Sequence, residues 1–130
     1  MIVVDTAVWA DLFNGTDSPH VGRLGHALDR QDVGLVPLVL TEVLQGFRVE
    51  SDCVRARDLL LALPLLTLGA GGHVAAARLY RRLRSRGITV RSTIDCIIAQ
   101  TCITAGVELL STDQDFAAIA QHTPLRLCAV

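Results

Sequence analysis

The sequence contains no lysine, and all 12 of its basic residues are arginines. This excludes Schiff-base catalysis and a P-loop, both of which use a lysine amine. Aromatic residues make up only 4% of the chain, so its core must be built mainly from Leu, Val, Ile and Ala. The net charge is −1, so no overall basic character indicates nucleic-acid binding. Any such binding must come from a local surface.

Long apolar runs are also missing. The longest, residues 59–66, contains Pro64 and is too short to span a bilayer. Asp5 stands where a secretion signal would carry positive charge and then an apolar core. The four cysteines form no CxxC pair, so neither a zinc site nor a disulfide framework is expected. We therefore expect a cytoplasmic protein without membrane contact, with residues 1–130 forming one domain.

Short apolar runs alternate with segments of helical periodicity. Strands separated by helices predict a parallel sheet with helices on both faces, which is an α/β three-layer sandwich. The predicted strands cover residues 2–4, 33–36, 65–68, 107–111 and 125–127. The predicted helices cover residues 7–13, 19–30, 38–48, 51–63 (with Ser51 as its cap), 71–86, 93–105 and 115–121.

Acidic residues occupy the positions where such a fold builds ligand sites. Asp5 and Asp113 follow predicted strands, and the carboxyl ends of parallel strands are where ligands bind. Asp95 and Glu42 lie among apolar residues of predicted helices, where acids are rarely left unpaired. Each also has a plain structural interpretation: the strand-end acids favour helix N-caps, Asp95 complements a helix dipole, and Glu42 could be a solvated helix residue.

Together these acids are better explained by a metal site. Carboxylates that converge on one crevice repel each other unless a cation lies between them. Mg²⁺ and Mn²⁺ prefer oxygen ligands, and paired ions of this kind promote phosphodiester hydrolysis. Such chemistry requires three to five acids and no lysine, histidine or cysteine nucleophile.

Four segments in this order resemble the PIN-domain family, and within it the VapC toxins of type II toxin–antitoxin modules. They are Ile2-Val3-Val4-Asp5-Thr6-Ala7-Val8-Trp9, Glu42-Val43-Leu44-Gln45-Gly46, Asp95-Cys96-Ile97-Ile98-Ala99 and Ser111-Thr112-Asp113-Gln114-Asp115-Phe116. The resemblance covers the whole chain and implies a PIN-like sandwich with a short, mostly parallel sheet. It also implies a Mg²⁺- or Mn²⁺-dependent endoribonuclease that leaves a 5′-phosphate and a 3′-hydroxyl.

The resemblance further assigns roles to individual residues. Asp5 and Asp95 would be the main metal ligands, assisted by Glu42 and completed by Asp113, with Asp115 as the alternative ligand from the same motif. Thr112 or Thr6 would hydrogen-bond to these ligands. Ala7 stands where relatives often have Ser. The implied partners are an RNA substrate, a cognate antitoxin and a second copy of the chain.

Two further groups of residues are open to two interpretations. Arginines at helical spacing form either an RNA-binding surface or a solvated helix face; they are Arg78, Arg81, Arg82 and Arg86, with Arg91 in the following loop. Trp9, Phe13 and Phe47 either belong to the core or line a groove for an antitoxin helix.

Two other function classes compete with a nuclease. One is a phosphoryl-transfer enzyme with Asp5 as nucleophile, although such enzymes usually also need a lysine. The other is a non-catalytic α/β interaction module in which the acids merely cap helices. Phospho-aspartate trapping would support the first, and failure to bind Mn²⁺ would support the second.

Overall fold

The computed structural model describes residues 1–130. They fold around a central three-stranded parallel sheet. Its strands are β1 (Ile2–Val4), β2 (Val33–Gly34) and β3 (Glu108–Leu110). β1 lies in the centre, with Ile2 opposite Val33 on one side and Glu108 on the other. Because both pairings are parallel, all three strands end at the same edge of the sheet.

Seven helices flank this sheet, and none is both long and apolar enough to cross a bilayer. They are α1 (Thr6–Phe13), α2 (Pro19–Asp29), α3 (Pro37–Gln45), α4 (Glu50–Leu61), α5 (Ala70–Ser85), α6 (Thr93–Ala105) and α7 (Gln114–His122). Helices α1 and α7 begin shortly after β1 and β3, and α5 packs against α6.

Side chains from the sheet and the helices form one continuous hydrophobic core. Every residue of β1 is buried, which is expected for a central strand covered on both faces. Trp9 of α1 and Phe116 of α7 are completely buried, and they are among the largest core residues. Only these two of the five aromatic residues are fully buried, so aliphatic side chains fill most of the remaining core.

Two predicted strands are reduced to single bridges. Leu65 pairs only with Leu35, and Leu127 pairs only with Leu109, both in parallel. β2 is shorter than predicted because Val36 serves as the N-cap of α3 and Pro37 begins that helix. These bridges widen the hydrogen-bonded layer on both sides without adding full strands.

The prediction that Ser51 caps α4 is wrong. The helix begins one residue earlier, at Glu50, and its N-cap is Val49, which offers no side-chain acceptor. Glu50 and Asp52 lie in the first turn, where negative charge interacts favourably with the helix dipole. The predicted bounds of α6, in contrast, agree with the structure, and Gly106 ends this helix in the left-handed conformation with φ of 68°.

Candidate active site

Asp5 lies at the carboxyl end of β1 and is the N-cap of α1. Its Oδ1 accepts a hydrogen bond from the Thr6 amide at 2.8 Å, and its Oδ2 accepts one from the Ser111 hydroxyl at 3.0 Å. Its own amide donates to the Leu110 carbonyl at 2.9 Å. The carboxylate is thus fixed by the first residue of α1 and by Ser111, which directly follows β3. The capping role and the site position therefore coexist in one residue.

Glu42 reaches the same region from α3. Its Oε1 accepts a hydrogen bond from the Thr6 hydroxyl at 2.9 Å, so Thr6 contacts Asp5 with its backbone and Glu42 with its side chain. Thr6 consequently lies where the resemblance expected it, next to two of the acids. Ala7 is exposed beside it and offers no hydroxyl.

Three further acids come together across α6 and α7. One carboxylate oxygen from each of Asp95, Asp113 and Asp115 lies within 4.8 Å of the others. Asp113 is the N-cap of α7, with its Oδ1 accepting from the Asp115 amide at 2.9 Å. Asp95 does not cap α6, because the hydroxyl of Ser92 performs that role. Its carboxylate has no hydrogen-bond or ion-pair partner.

The acids of the site repel one another when they are ionised. The pKa of Asp95 is raised to about 6, first by burial and then by the negative charges of Asp113, Asp5, Asp115 and Glu42. Burial also raises the pKa of Asp5, although the hydrogen bonds from Thr6 and Ser111 partly offset this effect. A cluster of hard oxygen donors with an unpartnered, half-buried carboxylate at its centre matches the ligand preferences of Mg²⁺ and Mn²⁺. The residues present therefore fit a divalent cation.

Arg91 is the single protein cation that contacts this cluster. Its Nε lies 3.0 Å from Oδ2 of Asp115, and its Nη2 lies 3.6 Å from Oδ1 of Asp113. These acids raise the pKa of the guanidinium, with the hydrogen bond to Asp115 as the largest cause. The sequence suggested Arg91 only as an RNA contact. The structure shows that it also pairs with two of the acids.

The hydroxyl that joins the two strand ends is Ser111, which the sequence analysis missed. It donates to Asp5 and accepts from the Asp113 amide at 3.0 Å. Thr112, the other threonine that the resemblance offered for this role, is exposed and makes no side-chain hydrogen bond, so only Thr6 contacts an acid through its hydroxyl. No local signal pointed to Ser111, because the predicted strand extended through residue 111, whereas β3 ends at Leu110.

The expected antitoxin-groove residues divide into two groups. Trp9 is completely buried, with its ring stacked on Phe13 at a centroid distance of 6.0 Å, so it belongs to the core and does not line a groove. Phe13 and Phe47 are half-buried, meet edge to face at 5.7 Å, and border a surface cavity of about 520 Å³. Of the arginines expected to bind RNA, the four in and just after α5 are all exposed; they are Arg78, Arg81, Arg82 and Arg86.

Acids at the carboxyl edge of a short parallel sheet, within this order of helices, define the PIN-domain class of proteins. The family model for the PIN domain matches residues 2–121, so the chain belongs to this family. The sequence is also 32% identical over 129 residues to VapC ribonuclease Mb1587 from Mycobacterium bovis. Ribonuclease VapC11 from Mycobacterium tuberculosis matches at the same identity. Each alignment covers 97% of this chain and 96% of the relative.

Within the PIN-domain family, the chain is therefore a member of the VapC ribonucleases, the toxins of toxin–antitoxin systems. The expectations of a hydrolase acting on RNA and of a toxin are confirmed at this level. The alternative of an Asp-nucleophile phosphoryl-transfer enzyme loses its support. So does that of a non-catalytic module.

Solved structures agree with the α/β PIN fold. A chain of VapBC2 from Rickettsia felis, determined bound to a DNA fragment from their promoter, superposes with a TM-score of 0.79 at 19% identity and covers 98% of both chains. Mycobacterium tuberculosis VapC20, described as a Sarcin-Ricin loop cleaving toxin, gives a TM-score of 0.70 at 21% identity. It covers 91% of this chain and 94% of its own. At these identities the likeness concerns the fold, which confirms the predicted architecture.

Proposed function

We propose that this chain is an endoribonuclease whose metal centre holds Mg²⁺ or Mn²⁺. Asp5, Asp95 and Asp113 would be the main ligands, and Glu42 and Asp115 would complete the negative charge of the centre. The observation that carries this proposal is the convergence of these acids, with the carboxylate of Asp95 lacking any partner within the protein.

A divalent cation bound here would supply an activated water and neutralise charge on the phosphodiester during in-line displacement. The chain's own residues orient the ligands. Ser111 and the Thr6 amide fix both oxygens of Asp5, and the Thr6 hydroxyl fixes Glu42. Arg91 holds the carboxylate of Asp115 through its Oδ2. Such pre-oriented ligands reduce the reorganisation that cation binding requires.

We also propose that a cognate antitoxin covers the surface beside Phe13 and Phe47. Their cavity is also lined by Val49 and Leu59, which are 54% and 37% exposed. An amphipathic helix laid into such a groove would bury apolar side chains that now contact water. A homodimer and action in the cytoplasm, where cellular RNA lies, complete the proposal. Both rest on membership of the VapC group.

The test combines metal binding and RNA cleavage in matched variants. Wild-type protein should bind Mn²⁺ in calorimetry and cut RNA only when the metal is present. Asp5→Asn and Asp95→Asn should each abolish cleavage while the circular dichroism spectrum stays unchanged. Asp58→Asn, at an exposed ion-paired site on α4, serves as the control and should retain activity. Metal-dependent cleavage by both site variants would refute the assigned centre.

A further inference from the structure

Four arginines on α5 form what we call the arginine face: Arg78, Arg81, Arg82 and Arg84. They are all exposed and, together with Ser85, surround an open hollow of about 610 Å³. None makes an ion pair, whereas Arg55 and Arg57 on α4 pair with neighbouring aspartates. Like charges three or four residues apart on a helix repel each other. The arrangement therefore does not serve the stability of α5.

A solvated helix face is the ordinary explanation for charged residues at this spacing, but two features disagree with it. The 16 residues of α5 include no acid, although mixed charges are usual on a solvated helix. Arginines in the last turn would interact favourably with the helix dipole, yet Arg78 and Arg81 lie before that turn. The positive charge is therefore concentrated in the middle of the helix as well as at its end.

A second cleft continues the arginine face towards α6, the helix that carries Asp95. Arg81 and the half-buried Tyr80 border a cavity of about 340 Å³ that Thr93 and Ile97 of α6 close on the other side. Thr93 begins α6 and stands two residues before Asp95. Arg81 lines both the hollow and this cleft, so the two spaces adjoin. A polymer lying on α5 can thus extend past Tyr80 to the start of α6, the helix that carries Asp95.

The chemistry of this path fits single-stranded RNA. Arginine binds phosphate oxygens in a bidentate manner, and an aromatic ring offers a stacking surface to a base. The guanidinium of Arg84 lies 5.7 Å from the ring centre of Tyr80, so a phosphate-binding group and a base-stacking group lie side by side. The five acids of the site repel phosphate, so attraction must come from a neighbouring surface. A second copy of the chain is a poorer occupant, since an isologous contact would oppose two positive faces.

We propose that the arginine face, continued by the Tyr80–Thr93 cleft, binds the RNA backbone and guides the strand to the acidic site. This inference rests on the proposed nuclease function and names the surface that receives its substrate. Because these residues do not touch the reacting atoms, they should affect substrate affinity rather than the chemical step.

The test measures binding of a labelled, mixed-sequence single-stranded RNA in EDTA, where no cleavage occurs, at several salt concentrations. Each phosphate contact contributes a slope of roughly −0.7 to the logarithm of affinity against the logarithm of salt for single strands. Arg78→Gln/Arg82→Gln should therefore reduce the slope by about 1.4. The factor by which the RNA affinity of this variant falls below that of wild type should shrink roughly sevenfold between about 50 and about 200 mM salt. In cleavage assays with Mn²⁺, KM should rise while kcat changes little.

Three controls make the result specific. Arg55→Gln/Arg57→Gln removes the same charge from α4 and should leave the slope unchanged. Arg78→Lys/Arg82→Lys retains charge and should largely preserve the slope. A thermal melt should show that Arg78→Gln/Arg82→Gln is at least as stable as wild type, because it relieves like-charge repulsion.

An unchanged slope in Arg78→Gln/Arg82→Gln would overturn the proposal, and so would an equal loss in the α4 control. A weakened antitoxin complex with an unchanged RNA slope would overturn it in favour of an acidic protein partner. If wild-type protein binds RNA with the expected slopes but cuts none with Mn²⁺, the RNA-binding surface is supported and the nuclease function fails. The two failures are thus distinguishable.

Discussion

Asp95→Asn should make the metal-free protein more stable while abolishing its response to Mn²⁺. The Asp95 carboxylate is half-buried, has no partner and faces four other acids, so its charge is unfavourable in the folded state. Asparagine keeps the shape and removes that charge. Since the carboxylate makes no hydrogen bond in the protein, the substitution breaks none.

The size of the gain follows from the raised pKa of Asp95. The difference between 3.8 and about 6 corresponds to at most about 3 kcal/mol. Because the side chain is only partly buried, solvent screening reduces this to about 1 kcal/mol. For a chain of this length, such a gain raises Tm by roughly 4 °C.

The stability that Asp95→Asn gains over wild type depends on pH. An acid whose pKa is raised by folding binds its proton more tightly in the folded state, so stability falls as pH rises from about 4 to about 6. Asparagine does not titrate, and the Asp95→Asn advantage should therefore be complete above about pH 6 and absent near pH 4.

Urea unfolding in EDTA at several pH values measures this effect, with Asp58→Asn as a matched change at an exposed site. Added Mn²⁺ should then raise the Tm of wild-type protein and leave that of Asp95→Asn nearly unchanged. Loss of stability in metal-free Asp95→Asn would refute the electrostatic reasoning. A full Mn²⁺ response in the variant would refute its role as a ligand.

Three more predictions address single contacts. Arg91→Gln removes a positive charge from beside the acids and should tighten Mn²⁺ binding severalfold in calorimetry, whereas weaker binding would contradict competition between Arg91 and the metal. Ser111→Ala should lower unfolding free energy by about 1 kcal/mol and weaken Mn²⁺ binding, because Asp5 loses a hydrogen bond. Thr112→Ala, at the exposed neighbour, should change neither. Gly106→Ala should destabilise the protein by about 1 kcal/mol in urea unfolding, because φ at this position is 68°. Gly71→Ala, in open space near the start of α5, should be neutral or stabilising.

The convergence of the acids was predictable because it follows from topology. Parallel strands share one carboxyl edge, so acids at the ends of β1 and β3 must lie near each other once the strand order is known. Asp95 and Glu42 were predictable for a different reason: an acid among apolar helix residues requires a partner. The positions of these four acids can therefore be predicted from local sequence patterns and the α/β class alone.

The roles of Ser111, Thr112 and Arg91 depend on contacts that no local pattern specifies. Two adjacent hydroxyls follow β3, and the direction of each side chain is decided by where the strand stops, at Leu110. Arg91 meets Asp115 across 24 residues of sequence. Likewise, no aromatic pattern separated Trp9, which is inside the core, from Phe13, which is at the surface.

The central position of β1 affects the order in which the fold can form during synthesis. β1 is made first, yet both of its strand neighbours come later, and β3 is more than a hundred residues downstream. Ser111 is later still, so Asp5 is synthesised long before the hydroxyl that fixes its carboxylate. Because the first strand lies in the centre of the sheet, the arrangement around its carboxyl end can form only after β3 has been added.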